Sequence, residues 1–256
     1  MDREQLDRLF DLTGRTAIVT GGTRGIGRAV AEGFAAAGAN VVVASRKPEA
    51  CAETEAHLQA MGGEALGVPT HLGELDQIDA LVARTVERFG GVDIVVNNAA
   101  NALAQPLGQM TPDAWQKLFD VDLRGPVFLV QAALPHLEAS DHAAVVNVIS
   151  AGAFLFAAPV AMYAAAKAAL MSFTRSMAAD FAPRGIRVNA LAPGTVDTDM
   201  VRANGPEAAA HMAKSSFLRR AASPDEMVGP VLYLVSDASS FMTGQVLLVD
   251  GGLVPH

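Results

Sequence analysis

Residues 16–38 read TAIVTGGTRGIGRAVAEGFAAAG, and the way they divide decides the fold. The first five form a short, continuous run rich in apolar and β-branched residues, the composition of a strand buried on both faces. Apolar and small residues then recur at Ile26, Ala29, Val30, Gly33, Phe34 and Ala37, the spacing of a helix with one buried face, and Gly38 is placed to end it. Between strand and helix stand Gly21, Gly22, Thr23, Arg24, Gly25, Ile26 and Gly27. Side chains here would hold a pyrophosphate away from the backbone N–H groups and the positive end of the helix dipole. A turn without a ligand can share this composition, but its place between a buried strand and a helix start favours a phosphate cradle.

Outward from this unit, similar runs occur at NVVVA (40–44), DIVVN (93–97), AVVNVI (144–149), IRVNAL (186–191) and QVLLV (245–249), with a weaker one at EALGVP (64–69). A second amphipathic pattern, Leu75, Ile78, Leu81, Val82, Val86 and Phe89, predicts a helix over about 74–89. Strand and helix alternate. That order predicts an α/β fold, a doubly wound, seven-stranded, mainly parallel sheet with helices on both faces and ligands beyond the carboxyl ends of the strands. No repeat or linker divides the chain, so residues 1–256 read as one domain, and 197–223, with Gly205, Pro206 and many alanines, read as a substrate lid.

Composition narrows the function classes. Apolar residues make up 51% of the chain and charged residues 18%, which suits a well-packed domain, and the single cysteine, Cys51, rules out an intrachain disulfide. A cytosolic setting is expected, with no signal peptide and no run long enough to span a bilayer. The net charge of -8 opposes nucleic-acid binding, and the six histidines show no metal-ligand spacing.

Tyr163 and Lys167 are four residues apart, so on a helix they share one face. Reduction of a ketone needs a proton at oxygen, and a tyrosine with an unperturbed pKa of about 10 delivers it better beside an ammonium that favours the phenolate. The pair alone arises by chance on solvated helices. Ser150, at the end of the AVVNVI strand and thirteen residues before Tyr163, strengthens it.

Together these motifs, with Asn97-Asn98-Ala99, Pro193-Gly194 and Val249-Asp250-Gly251-Gly252, resemble the short-chain dehydrogenase/reductase family, of Rossmann-like fold, over nearly the whole chain. The resemblance implies an oxidoreductase that interconverts a ketone or aldehyde and an alcohol by hydride transfer. Ser150 would hold the substrate oxygen, Tyr163 would act as acid or base, and Lys167 would lower the tyrosine pKa and hold the nicotinamide ribose. Gly21, Thr23, Arg24, Gly25, Ile26, Gly27, Ser45, Arg46, Leu72, Asn98, Ala99, Pro193, Gly194, Val196 and Thr198 would line the cofactor. A homotetramer built on the largely apolar segments 111–137 and 161–182 is implied as well.

An acid at the end of the second strand would bind a free ribose hydroxyl and repel a 2′-phosphate. Ser45-Arg46-Lys47 stands there instead, with Arg24 in the turn, which favours NADP(H) and leaves NAD(H) possible; a merely solvated charge pair is the alternative. Three positions depart from the family pattern. His71-Leu72 replaces an adenine-binding Asp, Ala100 replaces Gly, and Asp122 replaces an Asn that supports a helix kink and a water-linked proton relay. Pro126 also favours a helix break near there.

The Tyr–Lys spacing argues against an enoyl reductase. A 3-oxoacyl carrier-protein or CoA reductase is the alternative enzyme, with Leu129 and Ala179 where docking arginines would stand. A catalytically silent NADP(H)-binding sensor or scaffold is the alternative of another class. Phe154, Leu155, Phe156, Met200, Met212 and Phe217 read equally as an apolar substrate pocket or as ordinary packing.

Overall fold

Every apolar run named above forms a strand in the computed structural model, which describes residues 1–156 and 158–254, Pro159 by its backbone alone. The strands are β1 (Thr16–Thr20), β2 (Asn40–Ser45), β3 (Ala65–Pro69), β4 (Ile94–Asn97), β5 (Ala144–Val148), β6 (Arg187–Pro193) and β7 (Val246–Val249). They form one sheet in the order β3-β2-β1-β4-β5-β6-β7, and every pairing is parallel. The register sets Thr20 beside Ala44, Ser45 beside Pro69 and Asn97 beside Asn147, so the carboxyl ends form one edge. The order reverses at β1, between β2 and β4, where a doubly wound sheet opens a crevice for a ligand.

The helices are α1 (Arg3–Arg8), α2 (Gly25–Ala36), α3 (Pro48–Ala60), α4 (Leu75–Phe89), α5 (Pro112–Phe119), α6 (Gly125–Glu138), α7 (Ala161–Phe181), α8 (Asp199–Arg202), α9 (Pro206–Lys214) and α10 (Val228–Val235). Successive residues of a strand point to opposite faces, so one sheet feeds two cores. Val19, Val43, Val96 and Val146 pack with Phe34 of α2 and Leu234 of α10. Ile18, Val42, Val95 and Val145 pack with Leu81 of α4, Leu129 of α6 and Met177 of α7. Gly38 follows α2 in a left-handed conformation, φ +89°, as the helix-ending glycine predicts.

The break expected near Pro126 takes another form. Residues Asp120–Arg124 make one π-helical turn between α5 and α6, and Pro126 falls in the first turn of α6, where its missing N–H leaves no helical bond unmade. The extra residue in that turn carries Asp122 into the interior.

Candidate active site

At the end of β1 the chain turns through Gly21 (φ +64°) and Gly25 (φ +52°), backbone conformations that strain any other residue. A Cβ at Gly27 would collide with the Gly21 carbonyl and with Asn98 Nδ2. Asn98 holds this arrangement from β4: its Nδ2 donates to the carbonyl of Thr20 at 2.9 Å, while Thr20 Oγ1 accepts the N–H groups of Asn98 and Ala99 at 2.9 and 3.1 Å. A hydroxyl closing a buried strand, Thr20 at the head of the glycine turn, is the sequence signal for such a tie.

The first turn of α2 has no side-chain cap and no acidic residue, which leaves its N–H groups and dipole available to an anion. A glycine cradle without room for a Cβ, opening on an uncapped helix, fits a dinucleotide pyrophosphate. Thr23 and Ile26 are half-buried in the same turn, and Thr198 reaches it from beyond β6, its Cγ2 standing 3.1 Å from a Cβ placed on Gly25. Pro193 and Gly194 close β6 against β7, and Val196 is buried where it bridges to Ala222.

Arg24 and Arg46 stand exposed beside this crevice; Arg24, 70% exposed, has Asp199 at 3.9 Å. Ser45 is half-buried, and its carbonyl accepts the N–H of Thr70 at 2.8 Å. Leu72 can meet a cofactor through its backbone only, because its side chain is buried in the core with Val42, Val68 and Ile78. His71 instead remains half-buried at the surface, its Nδ1 accepting the N–H of Gly73 at 3.0 Å.

Ser150 follows β5, and Tyr163 and Lys167 share one helix, α7. Ser150 caps a short 3₁₀ turn, its Oγ accepting the N–H of Gly152 at 3.0 Å, which leaves the hydroxyl proton to donate elsewhere. On α7, Lys167 Nζ lies 5.5 Å from the centre of the Tyr163 ring and donates to the carbonyl of Val148 at 3.1 Å. Its other neighbour is Asp122, with Oδ2 at 3.6 Å; the lysine side chain is 1% exposed and the carboxylate 0%. Asp122 Oδ1 accepts the N–H of Asn101 at 2.7 Å, whereas Oδ2 is buried without a hydrogen bond.

Burial therefore pushes the Asp122 carboxyl up to about 6 from its ordinary 3.8, against the opposing pull of Lys167 and of the Asn101 N–H. Behind the site, Asn97 Nδ2 donates to Asn147 Oδ1 at 2.8 Å, and Asn147 Nδ2 donates to Thr174 Oγ1 at 2.9 Å. That chain ties β4 and β5 to α7, and two asparagines at matching strand positions are its trace in the sequence.

Among the described residues no His, Cys, Asp and Glu side chains cluster to hold a metal, and no helix is long and apolar enough to cross a membrane.

A parallel sheet with a glycine cradle at its reversal and a Ser–Tyr–Lys group one strand further on defines an oxidoreductase of the NAD(P)-binding type. The family model described as enoyl-(acyl carrier protein) reductase matches residues 21–254. A short chain dehydrogenase/reductase of Aspergillus oryzae is 38% identical over 96% of this chain and 97% of its own. Cis-4-hydroxycyclohexanecarboxylate dehydrogenase of Sinomonas cyclohexanicum is 38% identical over 93% of this chain and 96% of its own. The 3-oxoacyl (acyl-carrier-protein) reductase of Agrobacterium tumefaciens C58, solved with NADP bound, superposes with a TM-score of 0.90 at 39% identity, covering 96% of this chain and 97% of that one. The chain belongs to the short-chain dehydrogenase/reductase family.

Proposed function

We propose that this enzyme is an NADP(H)-dependent carbonyl reductase or alcohol dehydrogenase in which Ser150, Tyr163 and Lys167 act on the substrate oxygen. The observation that carries the reading is the buried ammonium of Lys167, 5.5 Å from the Tyr163 ring, on a helix that starts just beyond Ser150. A bound nicotinamide would supply or take the hydride. Ser150 Oγ, already accepting from Gly152, donates its proton to the substrate oxygen and orients it. Tyr163 gives that oxygen its proton in reduction and removes it in oxidation. Lys167 holds its ammonium beside the Tyr163 ring and would offer an N–H to the ribose, while Asp122 sits behind it as the group that balances its charge.

Gly21, Thr23, Gly25, Ile26 and Gly27 would hold the pyrophosphate, and Asn98, Ala99, Pro193, Gly194, Val196 and Thr198 the nicotinamide half. Arg24 and Arg46 favour NADP(H), because no acid stands at the end of β2 to reject a 2′-phosphate. The NADP-bound neighbour supports this choice. Residues 197–223 would act as the lid, and a cytosolic homotetramer is the form proposed for the whole molecule. Steady-state assays with NADPH and NADH on a ketone panel test the reading. A preference of tenfold or more for NADPH is expected, and a clear preference for NADH would refute the cofactor assignment.

The similarity to a 3-oxoacyl carrier-protein reductase favours a second substrate reading. Two features oppose it: Leu129 is fully buried on α6, and the exposed Ala179 on α7 carries no charge with which to dock an acidic carrier.

A further inference from the structure

We propose that the substrate of this site is an uncharged, apolar ketone or secondary alcohol, and that the site discriminates against carboxylated analogues. The proposal rests on the carbonyl-reductase reading of Ser150, Tyr163 and Lys167. Two stretches of chain adjoin Tyr163. Residues 99–111 supply Leu103 and Met110, which pack in the same cluster as the Tyr163 ring, and residues 151–162 run from Ser150 into the helix that carries it. Neither stretch contains a single Asp, Glu, Lys, Arg or His.

A carboxylate leaving water needs a cation or several N–H donors in compensation. Cations of the site and of the lid are engaged. Lys167 faces Asp122 and the Val148 carbonyl; Arg202 of α8 is held by Asp197 at 2.8 Å and Asp199 at 2.9 Å; and Arg220 is held by Glu226 at 2.7 and 2.8 Å. Within 197–223, Lys214 and Arg219 are the cations outside ion pairs among the described residues, and both are exposed. The protein as a whole carries a net charge of -8, so the approach of an anion is not assisted.

The same segments present aromatic surface instead. Phe156 is 99% exposed and Phe217 83% exposed, on the stretch after Ser150 and on the lid respectively. Phe217 is also braced, since a Cβ at Gly252 (φ +82°) would collide with its ring. Apolar contact of this kind rewards carbon, and a site without a charge partner rejects the charged analogue.

The test is a matched set of ketones with the full-length enzyme and each cofactor: cyclohexanone, 4-tert-butylcyclohexanone and 4-oxocyclohexanecarboxylate. The expected kcat/KM for cyclohexanone exceeds that of the carboxylate by about 100-fold, and the tert-butyl group raises it by a further factor of about 10. Lys214→Met and Arg219→Met leave both ratios unchanged. A carboxylate turned over as well as cyclohexanone overturns the proposal, and a tenfold change of the ratio in either variant overturns it by locating a carboxylate partner. Absence of turnover with any ketone, while cofactor still protects the protein against thermal unfolding, overturns the carbonyl-reductase reading itself, and the substrate class with it.

Discussion

Asp122 concentrates the consequences of a single residue. In the folded protein its carboxyl is raised by burial to about 6, above its ordinary 3.8, so the native state holds this proton more tightly than the unfolded chain does. Its contribution to stability is therefore fully present below about pH 4 and lost as pH rises through about 6. Asp122→Asn should remove that slope: the wild-type Tm falls relative to the variant between pH 4 and 6.5, measured by calorimetry. Asp122 also faces Lys167 at 3.6 Å, so the pH–rate profile of the variant should lose the contribution of the group near 6 and differ from that of the wild type. Identical profiles would leave Asp122 a purely structural role. Tyr163→Phe tests the centre itself, with kcat falling by about 10³-fold or more while cofactor affinity stays within a factor of about three. That Tyr163 and Lys167 share one helix face was legible in the sequence because their spacing is local. The pairing of Asp122 with the Asn101 N–H was not, since a backbone donor leaves no mark in residue identity.

At the scale of elements, burial on both faces made the strands legible to within one or two residues, because nothing but a parallel sheet covered by helices takes such runs. β6 exceeds its apolar run to include Ala192 and Pro193, since these pair with Leu248 and Val249, a partner strand more than fifty residues on. The π turn at Asp120–Arg124 has no periodicity of its own and shows in the sequence only as the kink implied at Asp122 and the break favoured by Pro126. The glycine cradle is the element whose sequence and structure agree most closely, and it yields the next prediction. Gly27→Ala puts a methyl group into the Gly21 carbonyl and the Asn98 amide, so the turn must open. Cofactor Kd should rise at least about tenfold with a stability loss of about 1–3 kcal/mol, read by titration calorimetry and denaturant unfolding. Unchanged affinity would mean that the turn does not carry the pyrophosphate. Arg46→Asp belongs to the same element, as it places at the end of β2 the acid that repels a 2′-phosphate. The NADPH/NADH ratio of kcat/KM should fall by at least about tenfold, and an unaltered ratio would return Arg46 to the solvated surface.

The whole molecule has more apolar surface than its own sheet can cover. On α5, α6 and α7, Trp115, Phe128 and Phe173 are all exposed, and Trp115 stacks on Phe119 with ring centres 4.3 Å apart, which presents a rigid aromatic face. These helices also bear the group proposed to be catalytic, with Asp122 between α5 and α6 and Tyr163 and Lys167 on α7. Covering their outer faces with identical copies would brace the site from behind, and a closed symmetric assembly is the form that leaves no such face unpaired. Light scattering at micromolar concentration should give a mass four times that of the 26.6 kDa chain. Phe173→Glu places a charge on the α7 face and should reduce that mass to a dimer or monomer while the far-ultraviolet circular dichroism stays unchanged. Because α7 carries Tyr163 and Lys167, the dissociated variant should also lose activity in proportion to the fraction dissociated, recovering it as concentration rises. A wild-type monomer of full activity would show instead that these aromatic faces are not what holds the catalytic helix in place.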